Sequence, residues 1–369
     1  MVISRTVNVE KNLVLHIGTE KTGTTSLQKL FAINRELLGE AGIYIPDFFG
    51  KFNHRLAEYA FEDDGRNDAF TKSLGVFKNL QAKQKLKAEI RDLWRARVSE
   101  VSAQTWIVSS EHFQSRLLSV EEVGNLWHFL SAIYDTITVV VYLRDPVQAA
   151  FSSLSTAIKC GRKKVAMGSP GDDFDNNCNH QKFLERWLAV VPRECMQVRL
   201  FDRQHFLDGD LYRDFFGTSR LDYLDGVELP ARENESLSYP ALRMLALVNS
   251  RIPNHVKNRQ NELRGNITRH LSNYCSDYSS ILPTMDKVDE FDHYYRQSND
   301  YVRENFFPDL QGRLWSLPRT VDEGESAAMD GEFSRQEIEF AELLCRVWED
   351  RQSLILKLKR SRKFKEEEA

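Results

Sequence analysis

Residues Thr136 to Leu143 read Thr-Ile-Thr-Val-Val-Val-Tyr-Leu, apolar at nearly every position instead of at alternate ones. A strand with that pattern is buried on both faces, which happens where a parallel sheet is covered by helices on either side. The preceding chain agrees. Leu13 to Ile17, Ile43 to Pro46 and Trp106 to Glu111 are further short apolar runs, separated by segments with apolar residues at helical spacing, notably Lys78 to Val101 and Val120 to Ile133. Val147 to Lys159 and Phe183 to Val190 read as helices, and Met196 to Phe201 as another strand. The expected fold is therefore α/β, an open and mainly parallel central sheet with flanking helices, followed by a mostly helical C-terminal part. In such sheets ligands sit at the carboxyl ends of the strands, so the loops after Ile17, Ser110 and Leu143 should converge.

Composition removes several alternatives. Apolar residues make up 41% of the 369, enough to bury a large core, which excludes intrinsic disorder. A formal net charge of −4 argues against a nucleic-acid-coating protein. The five cysteines, Cys160, Cys178, Cys195, Cys275 and Cys345, form no CxxC pair, so neither a disulfide framework nor a zinc site is expected, and a reducing, cytoplasmic setting fits. No apolar run approaches the roughly 20 residues of a bilayer span, so no transmembrane segment is expected. Ser334 and Glu337 have capping-box spacing and open a helix with Ile338, Ala341, Leu344, Cys345 and Trp348 on one face.

The first strand runs into Gly18-Thr-Glu-Lys21-Thr-Gly23-Thr-Thr25 and then a helical pattern. Strand, glycine-bounded loop and helix start together present backbone N–H groups and the positive end of a helix dipole to an anion. The glycine spacing is that of a P-loop, but Thr24 stands where an ATP-binding loop has its lysine. Such a loop can hold one phosphate with backbone amides and the Thr24 and Thr25 hydroxyls. Lys21 then projects toward whatever that phosphate carries. This suits a nucleotide with a transferable group on its 5′-phosphate better than a triphosphate bridged by metal, and no metal is expected.

The run His16 to Gln28, with Lys21-Thr-Gly-Thr-Thr25 at its centre, resembles the 5′-phosphosulfate loop of the sulfotransferases that use 3′-phosphoadenosine 5′-phosphosulfate (PAPS), in the form seen in bacterial and glycan-modifying members. Tyr142-Leu-Arg144-Asp-Pro146 with Ser152 eight residues after the arginine is similar to that family's 3′-phosphate element. Weaker likeness continues in pieces to about residue 250. The resemblance implies a P-loop-like PAPS-binding core over 1–250 and a helical extension over 251–369 whose charged end, 357–369, frays. It implies transfer of a sulfuryl group from PAPS to a hydroxyl or amine acceptor, carbohydrate or glycolipid in class. Lys21, Thr22, Gly23, Thr24, Thr25, Ser26, Arg144 and Ser152 would hold the nucleotide. Lys21 would stabilise charge on the leaving oxygen.

The general base is less determined by these patterns. Glu111, ending the third strand, ranks first; His54 second; His112, expected to point away if the strand continues, third. An ATP- or GTP-dependent kinase or NTPase, or a non-catalytic nucleotide-binding protein, are the competing readings. The sequence is silent on oligomeric state.

Overall fold

In a computed structural model, residues 10–48, 55–61, 71–72, 75–76, 79–231, 237–257, 259–275, 278, 281–321 and 333–367 are described. The chain divides into two compact units. The first comprises Met1–Pro146, Gly171–Ala231 and Tyr295–Ser316; the second comprises Val147–Pro170, Arg232–Tyr294 and Leu317–Ala369.

The first unit is built on five parallel strands, β1 (Asn12–His16), β2 (Ile43–Tyr44), β3 (Thr105–Ser109), β4 (Thr136–Leu143) and β5 (Met196–Leu200), in the order β2-β3-β1-β4-β5. Its register pairs His16 with Ser109 and with Val140, and Leu143 with Leu200. Because β1 lies between β3 and β4, successive crossovers leave it in opposite directions. The crevice this creates at its carboxyl end is where a doubly wound sheet binds ligands.

Alternation along the strands sorts the core into two layers. Leu13, Leu15, Trp106, Val108, Val139 and Val141 belong to one layer. It is closed by α3 (Arg55–Ala60), α4 (Leu80–Glu100), α6 (Val120–Ser131) and α9 (His180–Leu188), which contribute Leu56, Trp94, Leu130 and Trp187. Val14, Ile107, Val140 and Tyr142 face the other way, against Leu27 and Phe31 of α1 (Thr24–Ile33) and Phe215 and Phe216 of α10 (Leu211–Thr218). Helix starts follow local chemistry. Ser119 and Glu122 form a complete capping box at α6, and Asp210 accepts from the Tyr212 and Arg213 amides at α10. Asp214, on α10, accepts from Tyr142 Oη at 2.8 Å and pairs with Arg199 of β5, tying helix to sheet. Among the smaller helices of this unit are α2 (Arg35–Glu40), α5 (His112–Arg116), α8 (Asp172–Cys178) and α14 (Arg296–Phe306).

The second unit gathers α7 (Pro146–Lys159, in this unit from Val147), α11 (Tyr239–Arg251), α12 (Ile267–Tyr274), α13 (Met285–Tyr294) and α15 (Arg335–Glu367). Buried Asn249 donates to the carbonyls of Ile158 and Arg162 at 2.8 and 2.7 Å and accepts from Arg264 at 2.7 Å, stitching its helices together. The capping box expected at Ser334 and Glu337 forms. Ala341, Cys345 and Trp348 are buried as expected and Leu344 is half-buried; Ile338 departs from that expectation and is 41% exposed, at the edge of the covered arc. No helix among the described residues is long and apolar enough to cross a membrane.

Candidate functional site

The loop after β1 keeps pairing with β4 beyond the last strand residue. The Tyr142 amide donates to the Gly18 carbonyl at 3.2 Å, and the Thr19 amide and hydroxyl both donate to the Tyr142 carbonyl, at 3.3 and 3.1 Å. Thr22 and Thr24 then donate their hydroxyls inward to the Thr19 carbonyl, at 2.6 and 3.3 Å. The two buried threonines thus brace the turn, leaving exposed Thr25 and half-buried Ser26 as the hydroxyls nearest solvent. Gly23 caps α1 in the left-handed region, at φ 75°, and no side chain caps the helix. The first N–H groups of α1 are therefore left to a ligand or water.

Both loop glycines are demanded by close approach. A Cβ on Gly18 would lie 3.1 Å from the Glu111 Cα, and one on Gly23 would lie 2.6 Å from Leu211 Cδ2 and 3.1 Å from Phe201 Cε2. Lys21 also has a positive φ, 67°, a conformation costing a non-glycine residue on the order of 1 kcal/mol. Its carbonyl is turned to receive Arg144.

Arg144, immediately after β4, donates from Nη1 to the Lys21 carbonyl at 2.7 Å. The guanidinium lies 5.6 Å from the Phe201 ring centroid, and its Nε is buried with no hydrogen-bond partner among the described residues. Burial depresses its pKa, opposed by the charge of the neighbouring Asp145. This is a half-buried cation whose Nε is buried and incompletely compensated, which favours an incoming anion. Behind it, His180 Nε2 donates to the Arg144 carbonyl at 2.8 Å. Burial pushes the His180 pKa down to about 4, keeping the ring neutral and that tautomer in place.

Glu111 stands beside Gly18. Gln28, one turn into α1, donates from Nε2 to the Ser109 carbonyl at 3.2 Å and to Glu111 Oε2 at 3.3 Å, linking the helix after the loop to the end of β3. The strand does not continue through this point. Glu111 already has helical dihedrals as the N-cap of α5, so His112 is a half-buried first helical residue instead of the next position of a strand. Nearby, Asn177 Nδ2 donates to Glu20 Oε2 at 3.5 Å, while Asn177 Oδ1 is buried without a partner among the described residues.

The carboxyl ends of β1, β3 and β4 in the first unit therefore bring together Lys21 to Ser26, Arg144 and Glu111, with His112 adjacent. Ser152 is half-buried on α7 and belongs to the second unit, so its pairing with Arg144 rests on sequence spacing. His54 lies outside the described residues. Sequence reasoning passed over Gln28, Phe201, Asn177 and His180. Gln28 is four residues after Thr24, on the same helix face, and Phe201 directly follows β5, so helical spacing and the carboxyl-end rule would have found both. Asn177 and His180 carry no local signal. Among the described residues, no group of three or more His, Cys, Asp or Glu side chains is arranged to hold a metal ion.

No protein-family model matches the chain. An uncharacterized protein of Archaeoglobus fulgidus is 25% identical over 204 residues, 54% of this chain and 53% of that protein, so the chain spans about half the length of the curated relative it matches. Among solved structures, a sulfotransferase from Alicyclobacillus acidocaldarius aligns over 64% of this chain and 90% of its own at 19% identity and a TM-score of 0.37. A sulfotransferase domain from the curacin biosynthetic pathway aligns over 74% of this chain and 99% of its own at 10% identity and a TM-score of 0.34.

Proposed function

We propose that the protein is a sulfotransferase moving a sulfuryl group from PAPS to a hydroxyl acceptor of carbohydrate class. One observation carries the reading. Arg144 reaches the Lys21 carbonyl, so the two segments whose motifs resemble the two phosphate-binding elements of the PAPS-dependent family lie together at the same sheet edge. The residues present suit a nucleotide with two separated phosphates. An uncapped helix start offers N–H groups at one point, and an undercompensated arginine with a buried, unpartnered Nε stands at the other.

PAPS, when bound, supplies the activated sulfuryl group. In this reading the backbone of Thr22, Gly23 and Thr24, with the hydroxyls of Thr25 and Ser26, holds the 5′-phosphate; Arg144 holds the 3′-phosphate, with Ser152 assigned to it on spacing alone. Lys21 provides a cation beside the leaving oxygen, where charge grows as the bond to sulfur breaks, so its stabilisation is larger in the transition state than before it. The Glu111 carboxylate, oriented by Gln28, accepts the proton of the attacking hydroxyl, with His112 second in line. Asn177 and Glu20 offer the acceptor and donor chemistry that sugar hydroxyls require.

Calorimetric titration of the purified protein with 3′-phosphoadenosine 5′-phosphate (PAP), ATP and GTP, each with and without Mg²⁺, tests this. Metal-independent PAP binding is expected. Mg²⁺-dependent ATP or GTP binding in the absence of PAP binding would replace the reading with a kinase or NTPase. Labelled PAPS presented with a panel of glycans then identifies the acceptor.

A further inference from the structure

We propose that the outer face of α15 pairs antiparallel with the same face of a second copy of this chain. The helix is committed to its own unit through one side. Ala341, Cys345, Trp348 and Gln352 are buried, Trp348 Nε1 donates to the Arg264 carbonyl at 3.1 Å, and Arg243 holds Glu337 through two bonds of 2.6 and 3.0 Å. Centred about 140° round the helix from that side, at 100° per residue, Phe340, Leu343, Val347, Leu354 and Leu358 fall within an arc of roughly 60°. They are between 58% and 64% exposed. Five large apolar side chains on one narrow stripe of a single helix form a seam of the kind helices use to pair, distinct from scattered surface leucines.

The charges along the helix select the occupant. Glu337 and Glu342 are already held by Arg243 and Arg251 of the same unit, whereas Glu339 in the first half and Lys357 in the second flank the stripe on one side. Two copies laid parallel would set Glu339 and Lys357 each beside its own counterpart, whereas antiparallel copies set each beside the other. The stripe has the symmetry that such pairing needs. About position 349, Phe340 and Leu358 are each nine residues away, and Leu343 and Leu354 are six and five away. Leu343 of one copy therefore meets Leu354 of the other, with Glu339 alongside Lys357. A contact of one helix face is smaller than the roughly 1,200–2,000 Å² of a standard interface, so the pairing should be reversible, with a dissociation constant of about 1–100 μM.

Sedimentation equilibrium of the full chain across that concentration range is expected to show a monomer–dimer equilibrium. Leu343→Glu with Leu354→Glu should weaken it more than about tenfold while leaving far-UV circular dichroism and the melting temperature unchanged, since both residues are exposed. Leu343→Cys mixed with Leu354→Cys under oxidising conditions should give a peptide joining 343 to 354 by mass spectrometry. A monomer throughout, a dimer indifferent to the double substitution, or crosslinks joining 343 to 343 would overturn the proposal. So would binding of the monomer to phosphatidylserine vesicles that is lost with the same substitutions.

Discussion

Replacing Gly23 by alanine tests the loop on which the proposed chemistry rests, and it does so without knowledge of the substrate. Two costs can be worked from the geometry. At φ 75° an L residue occupies the left-handed region, costing about 1–2 kcal/mol relative to glycine. The new Cβ would also sit 2.6 Å from Leu211 Cδ2 and 3.1 Å from Phe201 Cε2, overpacking of the kind that costs about 1–3 kcal/mol. Together they amount to roughly 2–5 kcal/mol, a fall in melting temperature of roughly 4–20 °C for a unit of this size. Urea denaturation of wild type, Gly23→Ala, Leu211→Ala and the double variant forms a cycle that separates the two. In the Leu211→Ala background the closest clash is gone while the backbone term and the approach to Phe201 remain, so the cycle should return a coupling of about 1–3 kcal/mol. A neutral Gly23→Ala would show that the loop does not turn at that residue. A zero coupling would show that Leu211 does not cover it, and the cradle argued for the 5′-phosphate would fall with it.

Lys21→Ala should lower turnover with labelled PAPS by about 10²–10³ while PAP affinity, read by calorimetry, changes less than about tenfold. Loss of affinity without loss of turnover at saturation would reverse its assigned role. Arg144→Ala should weaken PAP binding by about 10²-fold, because a charge-assisted contact to phosphate disappears, yet leave the fold intact since its neutral replacement removes a buried, undercompensated cation. Unchanged PAP affinity would remove the 3′-phosphate site from the end of β4. Burial holds the His16 pKa down at about 3, against an ordinary 6.5, so the unfolded state binds the extra proton first. Stability should be level above about pH 7 and fall as pH drops from 6.5 toward 3; His16→Asn should make that slope shallower in urea midpoints, and an unaltered slope would show that the ring is not buried neutral.

Much of the fold was legible because its determinants are local. The nearly unbroken apolar run at Thr136 to Leu143 is β4 to the residue, since a strand buried on both faces has little need of polar positions. The capping box at Ser334 works through a four-residue interaction that the sequence spells directly. Ile338 was misread because periodicity reports which side of a helix is apolar, and not how wide an arc of it a neighbour covers. His112 was misread because a strand end and a helix start look alike over three residues.

The candidate site divides along the same line. Glycine spacing, the displaced lysine and the arginine after a strand are short-range patterns, and they single out the loops here proposed to hold an anion. That Arg144 meets the Lys21 carbonyl, that Gln28 holds Glu111, and that His180 fixes the backbone behind the arginine are contacts across 36 to 123 positions. Contacts of that range depend on strand order and on how helices pack over the sheet, so the chain reveals them only when it is folded.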